Sequence, residues 1–187
     1  MENFLPSHLL MLDCEMTGLV PQDHDILQVS ALLLKLEETQ YTVVRSFNKY
    51  LHSKATPTDE FQRKYLSEIM FQCNNSVETA VSVNLALENF LEKHLGTIQP
   101  CGDCVSTDLE FLLNKGVIRR NYFKENVAVT GTFNYEVFEL NSIKAIARHK
   151  IGSKFDKLLP LESGIHNALV DCRNQVQELN AFLKVLL

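Results

Sequence analysis

Asp13 and Glu15 stand one residue apart in Leu12-Asp13-Cys14-Glu15-Met16-Thr17-Gly18-Leu19, directly after the apolar run His8-Leu9-Leu10-Met11. Such a run reads as a buried strand, whose alternate residues share a face. The two carboxylates therefore project together, while Cys14 turns back toward the core. Neighbouring carboxylates at a buried strand end repel, and withdrawing each ion from water costs roughly several kcal/mol. A divalent cation with oxygen ligands offsets both terms. The alternative is a solvated strand end carrying two unrelated acids.

Two later stretches hold the other candidates. In Cys101-Gly102-Asp103-Cys104-Val105-Ser106-Thr107-Asp108, Gly102 and Asp103 break a strand and Ser106 or Thr107 can cap a helix, which puts Asp108 in its first turn. A carboxylate there also suits the helix dipole without any further role. Cys101 and Cys104 lack a second Cys or His pair at finger spacing, and their setting does not match a helix-opening redox pair. In Gly164-Ile165-His166-Asn167-Ala168-Leu169-Val170-Asp171, five helical residues turn about 500°, so His166 and Asp171 diverge by about 140° if both are helical. They converge only if His166 precedes the helix. Singly, His166 reads as a cap or surface histidine and Asp171 as an exposed acid.

The elements that must position these residues are legible from pattern. Residues 8 to 14 and 26 to 36 are apolar enough for interior strands, and 41 to 51 alternate, so three consecutive strands predict a meander. Pro57-Thr58-Asp59-Glu60 suits a helix start. A second helix is expected from Asn75, with Glu78 completing a capping box, an apolar face of Val77, Ala80, Val81, Leu87, Phe90 and Leu91, and Gly96 as its end. A strand near Ile98 to Gly102, a helix on Leu109, Leu112 and Leu113 ended by Gly116, a short extended piece, a helix and a long final helix complete an α/β pattern. With 187 residues and 45% hydrophobic content, one domain spanning 1–187 can bury a full core. The net charge of −5 argues against a broad basic face gripping long nucleic acid. Five scattered cysteines favour a reducing compartment over a disulfide framework. The acidic start, with Lys35 as the first lysine or arginine, argues against secretory and mitochondrial presequences, and no apolar run approaches membrane-spanning length. A cytoplasmic protein without a membrane partner is the expectation.

Taken together, the strand Asp-x-Glu, the helix-start Asp and the late His-x4-Asp resemble the DEDDh group of 3′-to-5′ exonucleases, and its oligoribonuclease branch in particular, from about Leu9 to Phe182. Asp13 to Leu19 is similar to the opening motif of that family, Cys101 to Leu112 to the second, Asn134-Tyr135 and Leu140 to Arg148 to the third, and His166 to Asp171 to the last. The resemblance implies an RNase H-like mixed central sheet flanked by helices, a homodimer, and two Mg²⁺ or Mn²⁺ ions held by Asp13, Glu15, Asp108 and Asp171. His166 would be the general base, since imidazole exchanges its proton near neutrality. Met16, Thr17, Leu19 and Tyr135 would contact substrate, with Leu19 wedged against the terminal bases. The implied activity is removal of nucleoside 5′-monophosphates from short single-stranded RNA. Trimming of DNA or longer RNA, and nucleic-acid binding without catalysis, are the alternatives. The chain departs from the branch in having Glu136 where an arginine holds the 5′ phosphate, Asp103-Cys104 in place of Asn-Ser, and Leu109 in place of the arginine after the catalytic aspartate. Lys144, Arg148, His149, Lys150 and Lys154 form the nearest basic cluster, readable as replacement phosphate contacts or as a solvated helix face.

Overall fold

The computed structural model describes residues 5–91, 98–119, 137–152 and 166–186. The expected meander is present as β1 (His8–Met16), β2 (Ile26–Glu37) and β3 (Gln40–Tyr50), paired antiparallel. β4 (Gln99–Gly102) adds to the other side of β1 in parallel, and β5 (Phe138–Glu139) is parallel to β4. The resulting five-stranded mixed sheet runs β3-β2-β1-β4-β5, with β1 at its centre.

Strand alternation sends β1 side chains into two cores. Leu10, Leu12 and Cys14 pack with Val83 and Leu87 of α2 (Ala80–Leu91) and Leu109 and Leu112 of α3 (Val105–Asn114). Leu9 and Met11 pack on the opposite face with Leu140 and Ala147 of α4 (Leu140–Ile151) and Cys172, Val176 and Leu179 of α5 (Ala168–Leu186). Each fully buried leucine contributes about 1.5 to 3 kcal/mol. Position 14 therefore belongs to one core, and positions 13 and 15 continue the face on which α5 lies.

The expected helix at Asn75 is displaced. Asn75 is the last residue of α1 (Ser67–Asn75), which continues a π-helical turn over Gln62–Leu66. The amide of Asn75 donates to Phe71 O at 2.8 Å, ending one helix instead of starting the next. The cap of α2 is Thr79, whose Oγ1 accepts from Ser82 N at 3.2 Å, while Glu78 binds Lys49 and Ser82. Val77 and Val81, expected on the buried face, are 90% and 67% exposed. Leu87, Phe90 and Leu91 are buried as expected, and Gly96 lies outside the described residues.

Candidate active site

The last turn of β1 carries Asp13 and Glu15 on the α5 side, and the first turn of α5 brings Asp171 to them. One oxygen from each of the three carboxylates lies within 4.8 Å of the other two. The start of α5 is fixed from two directions. Asn167 Oδ1 accepts from Leu169 N at 3.2 Å and Val170 N at 3.3 Å, and Asn167 N donates to Asp171 Oδ2 at 3.1 Å, a reciprocal cap. From below, Ala168 N donates to Gln28 Oε1 at 3.1 Å, and Gln28 Nε2 donates to Asn48 Oδ1 at 2.8 Å. A buried glutamine in the apolar strand β2 thus anchors the helix that delivers Asp171. His166 precedes that helix in the left-handed region, at φ 66°, which is the placement its convergence with Asp171 requires. Gly164 lies outside the described residues.

Asp108 arrives from the other side of the sheet. It sits in the first turn of α3, 5% exposed, and its Oδ1 accepts from Cys14 N at 3.2 Å. Cys104, at φ 55°, occupies the cap position that was expected of Ser106 or Thr107. Asp108 lies outside the tight three-carboxylate group, yet it abuts it, for Asp13 is the leading charge acting on Asp108. Gln175, one turn beyond Asp171, donates from Nε2 to Asp13 Oδ1 at 3.2 Å and accepts at Oε1 from Asp103 N at 3.3 Å.

The crowding is visible in the protonation of the acids. Burial, then the charge of Asp171, pushes the carboxyl of Asp13 up to about 8 from an ordinary 3.8, against the Gln175 hydrogen bond. Burial, then Asp13 and Asp171, pushes Glu15 up to about 8 from 4.5. Asp108 is raised well above the carboxylate range by burial and Asp13, partly offset by the Cys14 N–H. Asp171 is raised by burial against its hydrogen bond from Asn167 and the neighbouring His166. Such oxygens form an all-carboxylate donor set whose charges a cation would satisfy, so the residues fit a hard divalent ion. The cysteine pair provides no competing site: Cys101 is buried in β4, Cys104 is exposed, and both thiols are free.

Beside the acids lies a cleft of about 470 Å³ lined by Glu15, Met16, Thr17, Leu19, Phe61 and His166, among others. The imidazole of His166 is held between two rings, edge-on to Phe61 and tilted to Tyr65, each with centroids 4.8 Å away. Leu19 is 82% exposed beside this cleft. Tyr135 and Glu136 lie outside the described residues, as does Lys154. Lys144 turns inward to ion pairs with Asp103 and Glu178, so it does not act as a replacement phosphate contact. Gln28, Gln62, Gln175 and Phe61 escaped the sequence reading, and only Gln28, polar within an apolar strand, carried a local signal.

Comparisons with known proteins identify the family and the fold. The family model described as exonuclease matches residues 10–179. The oligoribonuclease of Streptomyces coelicolor is 26% identical over 93% of this chain and 84% of its own, and that of Tropheryma whipplei is 26% identical over 93% and 90%. Among solved structures, the nuclease domain of 3′hExo, a DEDDh family member bound to rAMP, superimposes with a TM-score of 0.66 at 18% identity, covering 98% of this chain and 94% of that one. Cell-death related nuclease 4 gives a TM-score of 0.71 at 17% identity over 97% of this chain, which spans 65% of that nuclease. No helix among the described residues is long and apolar enough to cross a membrane. The mixed sheet has the RNase H-like fold of the DEDDh nuclease domain and carries an acidic cluster at its central strand, and the match to the exonuclease model over most of its length shows that the chain belongs to the exonuclease family.

Proposed function

We propose that the chain hydrolyses short single-stranded RNA from its 3′ end, releasing nucleoside 5′-monophosphates, with Asp13, Glu15, Asp108 and Asp171 holding two Mg²⁺ or Mn²⁺ ions. The observation that carries this reading is the convergence of Asp13, Glu15 and Asp171 within 4.8 Å beside the cleft that His166 lines. The ions, when bound, supply Lewis-acid stabilisation of charge on the phosphate and activation of water. His166 accepts the proton of the attacking water on a ring nitrogen, and the rings of Phe61 and Tyr65 hold its imidazole in place. Asp171, accepting from Asn167 N, keeps the start of α5 and hence His166 in register with β1. Leu19 and Phe61, exposed on the loop after β1 and just before the π-helical turn, offer apolar surface to the terminal bases. Met16 and Thr17 line the same cleft and contact the substrate there, and the family resemblance adds Tyr135 to the substrate-binding residues. RNA is preferred over DNA because the curated relatives are oligoribonucleases. The five free cysteines suit a reducing cytoplasm, and a homodimer is the assembly expected from the sequence resemblance.

The test is cleavage of end-labelled RNA and DNA of several lengths with and without divalent ions. Short RNA should be shortened from the 3′ end only with metal. Asp13→Ala should abolish turnover while metal-free thermal stability holds or rises, because one of several repelling acids is gone. His166→Asn should lower turnover by about 10² to 10⁴ with little change in metal affinity. Near wild-type turnover in Asp13→Ala would sink the metal assignment. Faster cleavage of DNA or long RNA would replace the substrate assignment with its alternative.

A further inference from the structure

The loop that presents Leu19 is closed on itself by its first and last residues. Thr17 N donates to Asp25 O at 3.0 Å, and Asp25 N donates to Thr17 Oγ1 at 2.9 Å. Two of the three polar groups of Thr17 are thereby used within the loop, and the third, its carbonyl, faces outward. Gln62 Nε2 donates to that carbonyl at 2.9 Å across 45 residues of sequence. The other end of the same amide is also fixed, for Gln62 Oε1 accepts from Thr58 N at 2.8 Å and from Thr58 Oγ1 at 3.1 Å. Its backbone N–H donates to Asp59 Oδ1 at 2.8 Å. A glutamine that is 8% exposed and bonded at every polar side-chain atom has one orientation open to it.

Its position in the chain gives that orientation a consequence. Gln62 begins the π-helical turn and lies between Phe61 and Tyr65, whose rings are 5.1 Å apart and both contact His166. The Leu19 loop and the aromatic segment are separate elements, and the Gln62 to Thr17 bond ties their backbones together at the cleft. Leu19 itself, 82% exposed, has little packing of its own to set its distance from Phe61. We propose that Gln62 is a specificity-determining positioning residue that sets the gap between Leu19 and Phe61, and so the fit of the 3′-terminal base. This rests on the exonuclease reading of the cleft. Gln62 lines the cleft, and its hydrogen bonds go to Thr17, Thr58 and Asp59.

Gln62→Glu isolates the tie. It preserves length and the acceptor used by Thr58, and it places an oxygen where the donor to Thr17 O stood. Expected are a KM raised about tenfold for oligonucleotides ending in an intact base, a nearly unchanged kcat, and no change for the same oligonucleotides ending in an abasic residue. Hydrogen exchange at the amides of residues 18–20 should quicken without substrate present. Gln62→Met, uncharged and lacking the donor, should give the same pattern and serves if the carboxylate prevents folding. Equal losses on base-bearing and abasic ends, or unchanged exchange in the loop, would overturn the proposal. Absence of cleavage by the unaltered protein would instead overturn the exonuclease reading, and loop exchange would still report on the tie.

Discussion

Gln175 holds Asp13 Oδ1 with one end of its amide and the backbone of Asp103 with the other. A carboxylate meant for a cation needs one orientation, and supporting hydrogen bonds of this kind are worth about 10 to 100-fold in metal affinity. Gln175→Leu, close in volume, should therefore weaken Mn²⁺ binding by about that factor in calorimetry while the metal-free fold persists. Unchanged affinity would show that Asp13 is held by packing alone. At this scale the sequence was half legible. Asp13 and Glu15 declare themselves because their spacing is local and strand geometry alone unites them. Gln175, Gln28 and Gln62 act on partners 162, 140 and 45 residues away, and nothing near them in the chain marks the partner. Lys144 misleads for the same reason, since its acids come from the β4–α3 turn and from α5.

Elements were more legible than side-chain partners, because periodicity survives without knowledge of contacts. β2 shows why: its first nine residues are buried, and a run that is apolar but for Gln28 and Ser30 reads as an interior strand. The run Asn75-Ser76-Val77-Glu78 failed because polar residues that end one helix resemble those that start another. Ser76 N bonds Cys73 O and its Oγ bonds Tyr50 O, so the segment is a junction docked on β3. The second motif's glycine is an element-scale constraint too. A Cβ on Gly102 would stand 2.6 Å from Leu12 O, where β4 runs beside β1, and 3.3 Å from Gln175 Oε1. Backbone cannot yield as a side chain does. Gly102→Ala should cost about 1 to 3 kcal/mol, lowering Tm by several degrees in a thermal scan, and should weaken metal binding through Gln175. A variant with wild-type Tm would show that the strands separate freely there.

For the whole molecule, the buried acids make stability depend on pH. Asp13 and Glu15 are raised to about 8 in the fold from ordinary values of 3.8 and 4.5. Their contribution is fully present below about pH 4 and is lost as pH rises through about 8, because the fold must then hold charges that the unfolded chain leaves in water. Glu78 has the opposite sign: Lys49 and Ser82 lower it from 4.5, so its contribution is lost only in acid below that value. Between pH 5.5 and 8.5 the first effect governs. Metal-free Tm should fall across that range, and saturating Mg²⁺ or Mn²⁺ should flatten or reverse the slope; a metal-free Tm that rises with pH would contradict the crowding of the acids. The same protonated carboxyls have a thermochemical consequence. At pH 7 an arriving cation must displace protons from Asp13 and Glu15, so loading the protein acidifies an unbuffered solution. In a buffered one the heat of metal binding then varies with the ionisation enthalpy of the buffer, and titrations in Pipes and in Tris should differ by the number of protons released multiplied by the difference between the two ionisation enthalpies.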